Sequence, residues 1–211
     1  MSLPEKHLSI VYHSPYGHTA KVASAIASGA EVMGVKVHVM NIEHIDWDVL
    51  DASQGIIFGS PTYMGSVTAD FKKFMDSTSK RWKNRLWQGK LAAGFANSGG
   101  LSGDKLAVLQ QLNIFAMQHG MLWSGLPLMT TGHTETDLNR LSSCLGLMTQ
   151  SDNAPVEITP PQGDLDTAKW FGEYIAGLLY IVKLLYYSYK IRKKLEITHR
   201  LSRSTILYAY V

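Results

Sequence analysis

A single cysteine, Cys144, among 211 residues rules out an internal disulfide, so the fold does not rest on a covalent framework. Nothing in the chain asks for an oxidising compartment, and a buried or idle thiol is the expectation for Cys144. Charge is sparse at 18%, but 45% of the chain is hydrophobic, which excludes a disordered polymer and allows one well-buried core. No apolar run is long enough for a membrane. The stretch from Tyr174 to Tyr187 is broken by Lys183 and falls short of the roughly 20 residues a spanning helix needs. Pro4, Glu5 and Lys6 precede the first apolar run, so no signal-peptide pattern is present and the cytoplasm is the expected location. Two nucleotide signatures are also missing, the P-loop G-x-x-x-x-G-K-[ST] and the dinucleotide fingerprint G-x-G-x-x-G.

The net charge of +3 is unevenly spread. Residues 1–178 carry 13 Lys+Arg against 16 Asp+Glu, while residues 179–211 carry 7 against 1. The body is therefore mildly acidic, and no nucleic-acid partner is expected. The sequence divides accordingly into a domain at 1–178 and a basic, Tyr-rich extension at 179–211. That extension fits a helix packing on a neighbouring subunit, a poorly ordered appendage, or contact with an anionic membrane surface.

What is present is an alternation of strands and helices. Leu8–Tyr12, Val35–Ile42, Gly55–Gly59 and Leu91–Ala96 read as strands; His18–Gly34, Thr68–Thr78, Asp104–Gln118 and the segment from Leu165 onward read as helices. Such alternation predicts a mostly parallel sheet covered on both faces, with ligands at the carboxyl ends of its strands. Trp87 and Trp123 are expected in the core, whereas residues 126–163 form a long stretch without clear period, of the kind that usually serves function or assembly.

Three loops follow strands and carry ligand-type residues. Ser14-Pro15-Tyr16-Gly17-His18-Thr19 opens a helix with hydroxyls and free amides but no Lys or Arg, which suits a phosphate monoester better than a triphosphate that brings magnesium. Ser60-Pro61-Thr62-Tyr63-Met64-Gly65 offers a flat aromatic and a polarisable thioether as a wall for a planar ring. Asn97-Ser98-Gly99-Gly100-Leu101-Ser102-Gly103 lets backbone amides approach a ligand closely. Each alone also fits an ordinary turn; together, after successive parallel strands, they point to one site. No metal site is read.

The segments Ile10–Thr19 (IVYHSPYGHT), Phe58–Gly65 (FGSPTYMG), Gly89–Gly99 (GKLAAGFANSG) and His119–Met121 (HGM) resemble the flavodoxin-like NAD(P)H:quinone oxidoreductases. The nearest branch is the tryptophan-repressor-binding-protein (WrbA) type, with its NADPH-dependent FMN reductase relatives. The likeness spans about residues 5–178, including Phe171–Gly177. It implies a flavodoxin-like, doubly wound α/β sandwich: a five-stranded parallel sheet of order 2-1-3-4-5 with helices on both faces. It also implies FMN, with its phosphate at Ser14, Tyr16, Gly17, His18 and Thr19. The ring would lie between Pro61, Thr62, Tyr63, Met64 and Gly65 on one side and Asn97, Ser98, Gly99, Gly100 and Gly103 on the other. The implied reaction passes hydride from NADPH or NADH to the flavin and then two electrons to a quinone-like acceptor, in ping-pong order. His133 and His119 are the candidate catalytic residues, and each also fits a surface or packing role. Residues 140–155 depart from the family pattern where the acceptor site is built. A homo-oligomer, dimer or tetramer, is implied. Competing readings are a flavodoxin-type carrier of electrons between proteins and a non-catalytic membrane-associated or scaffolding module.

Overall fold

The computed structural model describes residues 5–182, so all but four residues of the basic extension lie outside the described residues. The elements in chain order are β1 (His7–Tyr12), α1 (His18–Val32), β2 (Lys36–Asn41), α2 (Trp47–Ala52), β3 (Gly55–Pro61) and α3 (Ala69–Ser77). They continue as α4 (Ser79–Lys83), β4 (Leu91–Ser98), α5 (Lys105–Gln118), β5 (Leu122–Trp123) and β6 (Leu147–Gln150). A last helix, α6 (162–182), runs past position 178 to the end of the described residues. Among the described residues no helix is long and apolar enough to cross a membrane.

The sheet is parallel throughout, in the order β2-β1-β3-β4-β5, with β6 also paired to β4. This agrees with the expected 2-1-3-4-5 order and corrects the count of five strands. The fifth position is shared by two short segments: β5 pairs with Leu91 and Ala92, and β6 pairs with Phe95 to Ser98. The intervening chain leaves the sheet and returns. The stretch at 126–163, expected to lack regular structure, therefore contributes a strand.

Side chains alternate across the sheet as the period of two requires. Leu8, Ile10, Ile57, Ala93 and Phe95 face one core, beneath Val22, Ile26 and Ala30 of α1 and Phe171 and Ile175 of α6. Val11, Ile56, Phe58 and Ala92 face the other, beneath Phe71 and Phe74 of α3, Leu109, Leu112 and Phe115 of α5, and Trp87. Every residue of β3 and β4 is buried, as expected for central strands covered on both faces. Trp87 is fully buried as expected, and its indole N–H donates to Asp51 Oδ1 at 2.7 Å. Trp123 is partly buried in the same core, its N–H donating to the Leu145 carbonyl. Cys144, by contrast, is exposed, because it lies in the loop that enters β6 rather than in the strand.

Helices α1 and α6 cross at a backbone contact that only glycine permits. A Cβ on Gly172 would stand 1.9 Å from the Ile26 carbonyl oxygen, and one on Gly29 would stand 1.8 Å from that of Lys169. Gly172→Ala must therefore push the helices apart, and a loss of about 2 kcal/mol is expected. Thermal unfolding should show it as a midpoint lower by roughly 6 °C; an unchanged midpoint would mean that the crossing relaxes freely.

Candidate active site

Four loops meet at the carboxyl edge of the sheet, around a cleft of about 520 Å³. Its walls are Ser14, Pro15, Tyr16, His18 and Thr19 after β1, Pro61, Thr62 and Tyr63 after β3, Asn97, Ser98 and Gly99 at the end of β4, and Ser151, Asn153, Ala154 and Pro155 after β6. This size is usual for cofactor clefts.

The first loop forms the polar end. Gly17 takes φ +89°, which turns the chain into α1 and leaves the amides of His18 and Thr19 with no protein acceptor among the described residues. Ser14 Oγ accepts the next amide, Ala20 N–H, at 3.0 Å. Unpaired first-turn donors at a helix amino end attract an anion. Among the described residues no Lys or Arg lines the cleft. The nearby cation, Lys21, is turned away, donating to the carbonyls of Val156 (2.7 Å), Thr159 (3.3 Å) and Glu157 (3.4 Å). His18 likewise donates through Nε2 to the Ala154 carbonyl at 2.8 Å. Lys21 and His18 thus tie the fourth loop to the first.

The second loop is a tight hairpin. Tyr63 and Ser66 exchange both backbone hydrogen bonds across Met64 (φ 49°) and Gly65 (φ 72°). Two successive positive φ angles fit a type I′ turn, for which glycine is suited and methionine is not. The hairpin presents Tyr63 to the cleft, but Met64 stands fully exposed at its tip and does not form the expected wall; Gly65 shapes the turn and also does not line the cleft. Burial, with the Tyr16 phenol beside it, pushes the Tyr63 hydroxyl above its ordinary pKa. Thr62 Oγ1 is buried and has no hydrogen-bond partner among the described residues, which leaves a donor and acceptor for a ligand group there. Behind the hairpin, His13 Nδ1 hydrogen-bonds Thr68 Oγ1 at 2.7 Å, which anchors the start of α3 to the end of β1.

The third loop has its carbonyls turned inward. Ser98 O accepts from Ser151 N, Gly99 O from Asp152 N and Gln150 Nε2, and Gly100 O from Ser98 Oγ and Lys105 Nζ. The amides of Gly99, Gly100 and Leu101 donate to no protein acceptor among the described residues. Gly100 and Gly103 do not line the cleft, and each of them instead shapes the loop. At Gly103 (φ +51°) a Cβ would stand 2.0 Å from Ser98 Oγ. Asn97 is locked by Thr149 Oγ1, which donates to its Oδ1, and by its own Nδ2 donation to Ser151 Oγ.

The two histidines fare differently from expectation. His119 caps α5 inside the opposite core, tilted on Trp87 at 4.4 Å, with Nε2 bonded to Thr78 Oγ1 at 2.9 Å. It lies outside the cleft, because α5 runs away from the carboxyl edge of the sheet. Burial, helped by the Arg85 guanidinium, lowers its pKa to about 4. A histidine kept neutral in the fold withholds a proton that the unfolded chain binds, so its contribution is intact above pH 6.5 and is lost as pH falls from 6.5 towards 4. Urea midpoints should trace this acid slope in the natural protein and lose it in His119→Leu. His133 is exposed and also outside the cleft; its Nδ1–H donates to the Arg140 carbonyl at 2.7 Å, which leaves Nε2 free.

Ser151, Asn153, Ala154 and Pro155 were not anticipated as individual lining residues, although the turn-rich SDNAP run falls in the 140–155 segment expected at the acceptor side.

A family model for NADPH-dependent FMN reductase matches residues 47–134. Flavodoxin FldP of Pseudomonas aeruginosa is 43% identical over 173 residues, covering 80% of this chain and 94% of its own length. A NAD(P)H dehydrogenase (quinone) of Archaeoglobus fulgidus is 29% identical over 192 residues, covering 79% of this chain and 94% of its own. Among solved structures, the flavodoxin, WrbA-like protein of Agrobacterium tumefaciens superposes with a TM-score of 0.67 at 37% identity, covering 83% of this chain and 98% of its own.

Proposed function

The chain belongs to the flavodoxin-like family of NADPH-dependent FMN reductases and NAD(P)H:quinone oxidoreductases, and on that premise we propose that it binds FMN in the four-loop cleft and reduces a quinone-like acceptor with NAD(P)H. One observation carries the reading. The cleft joins a helix amino end of unpaired amides and hydroxyls to Gly99, whose amide has no protein acceptor among the described residues, with Tyr16 and Tyr63 in the same wall.

The residues fit the cofactor. Ser14, His18 and Thr19 would hold the phosphate, with Gly17 supplying the turn. Tyr16 and Tyr63 would flank the ring, and the Gly99 amide would meet its electron-rich edge. The Thr62 hydroxyl, without a partner among the described residues, would gain one from a ligand in the cleft. When bound, FMN would supply two-electron chemistry between NAD(P)H and a quinone, with solvent completing the proton balance. The lining residues would orient the ring and leave the mouth of the cleft open on one side. With one open side, hydride donor and acceptor visit in turn, so double-reciprocal plots should be parallel. Protons for the acceptor would come from solvent through the open mouth. A homo-oligomer, as the resemblance implies, is part of the proposal.

A second reading has its own support, since the relative at 43% identity is named a flavodoxin. A carrier would bind FMN equally well but would not oxidise NAD(P)H. Anaerobic visible spectra separate the two. Bound-flavin bands that bleach with NADPH and return with benzoquinone are the expected result; bands that NADPH leaves unbleached would establish the carrier.

A further inference from the structure

Lys105, the first residue of α5, is fully buried, although a helix start is ordinarily a solvated place. Gly103 and Asp104 both take φ 51°, and these two left-handed residues turn the chain so that the loop wraps over the lysine side chain. Its ammonium spends all three protons beneath that loop, on Ser98 Oγ at 2.7 Å, Gly100 O at 2.8 Å and Leu101 O at 2.9 Å. Around it, Asp164 is already matched by Arg140 at 2.7 Å, and Asp152 is solvent-exposed. The buried charges behind the loop therefore sum to one positive charge. A methionine would fill the same space without burying a charge but would leave the Gly100 and Leu101 carbonyls without this donor, so the lysine shapes the loop as well as packing beneath it.

We propose that Lys105 is the positioning residue of the flavin site: it draws the Gly100 and Leu101 carbonyls inward, leaves the loop's amides unspent, and holds a buried positive charge that favours reduced over oxidised cofactor. The proposal rests on the cleft binding FMN. Two electrons and one proton added to an oxidised flavin leave it with one more negative charge, and a fixed cation in a low-dielectric site stabilises that state selectively. The loop geometry and the charge make separable contributions. Burial brings the Lys105 pKa down to about 8, against opposing pulls from Asp164 and Asp152 and with a small push from Arg140. The charge is thus present at neutral pH and is titratable just above it.

The test compares FMN affinity and two-electron potential in the full chain and in Lys105→Met and Lys105→Gln. Lys105→Met should bind oxidised FMN about tenfold more weakly and should also lose at least tenfold of its preference for the reduced form, a potential lower by about 30 mV. Lys105→Gln, which keeps hydrogen bonds without charge, should recover affinity but not potential. A second arm varies pH. As pH rises through 8 the ammonium is lost, so the potential of the natural protein should converge on that of Lys105→Gln between pH 7 and pH 9. Potentials in both variants equal to that of the natural protein at pH 7 would overturn the proposal. Natural protein that binds no FMN at all would instead overturn the reading of the cleft.

Discussion

Ser14→Asp should weaken FMN binding by about a hundredfold while leaving the free protein as stable as before or slightly more stable. The two effects share a cause and have opposite signs. Ser14 Oγ caps α1 by accepting Ala20 N–H, and an aspartate can accept the same bond with a full charge at the positive end of the helix. That gain is about 0.3–1 kcal/mol. The same charge then faces the phosphate. Near a protein surface two unit charges about 4 Å apart repel by roughly 4 kcal/mol, enough to remove two orders of magnitude of affinity after partial screening. Ser14→Asn, which caps without charge, should stay within about threefold of the natural protein. Fluorescence titration with FMN, beside a denaturant midpoint for the free protein, measures both sides. Equal affinity in Ser14→Asp would place the phosphate elsewhere, since no overall loss of fold could then be blamed.

Riboflavin sharpens the same experiment because it lacks the phosphate. Its affinity should be low and nearly indifferent to the aspartate, so the penalty belongs to one group of the cofactor. Among the described residues no Lys or Arg lines the cleft wall, which makes this site sensitive, for no lining cation offsets the added carboxylate.

The central strands, the three glycine- and serine-containing loops and the long helices were legible because each depends on local pattern. GIIFG and LAAGFA are continuous apolar runs that can only be buried, and the loops after them were placed by strand polarity. The short helix α2 was missed, although Asp46 caps it by accepting Val49 N–H at 3.1 Å; six residues give too little periodicity to see. β6 was hidden for a different reason. LMTQ is half polar, and its place is set by pairing with β4 some 50 residues earlier, with Thr149 and Gln150 spent on Asn97 and Gly99. The fourth wall of the cleft follows from that pairing, so no local reading could have found it. Residue chemistry also cannot tell inside from outside at a loop tip or helix end. By residue type Met64 fits a ring wall and His119 a catalytic role, and tertiary contacts decide both. Lys105 was invisible as a site residue because a lysine at a helix start reads as solvated.

Arg140→Met should cost about 3–5 kcal/mol at neutral pH, the usual penalty for stranding one member of a buried ion pair. Arg140 and Asp164 are almost inaccessible, at 6% and 2% side-chain exposure, and meet at 2.7 Å. Asp164 also accepts the Gln150 amide, while Arg140 holds Gln150 Oε1 and Gln150 Nε2 reaches the Gly99 carbonyl. The pair therefore supports the third and fourth loops together. The two partners are not equivalent. Even beside Arg140, burial pushes the Asp164 carboxyl above its ordinary range, so without the arginine it takes up a proton more readily still. A carboxyl whose pKa is raised by folding destabilises the fold above that pKa and ceases to do so as pH falls through it. The Arg140→Met penalty should therefore shrink as the medium is acidified towards pH 5. An arginine has no such escape, and Asp164→Asn should carry a penalty that is flat across the same range. Replacing both, as Arg140→Met with Asp164→Leu, should return much of the lost stability, because no unpaired charge is left. Denaturant midpoints of the three variants between pH 5 and 8 decide the matter. Parallel pH curves for the two single variants would show that Asp164 stays ionised without its partner, contrary to what its burial requires.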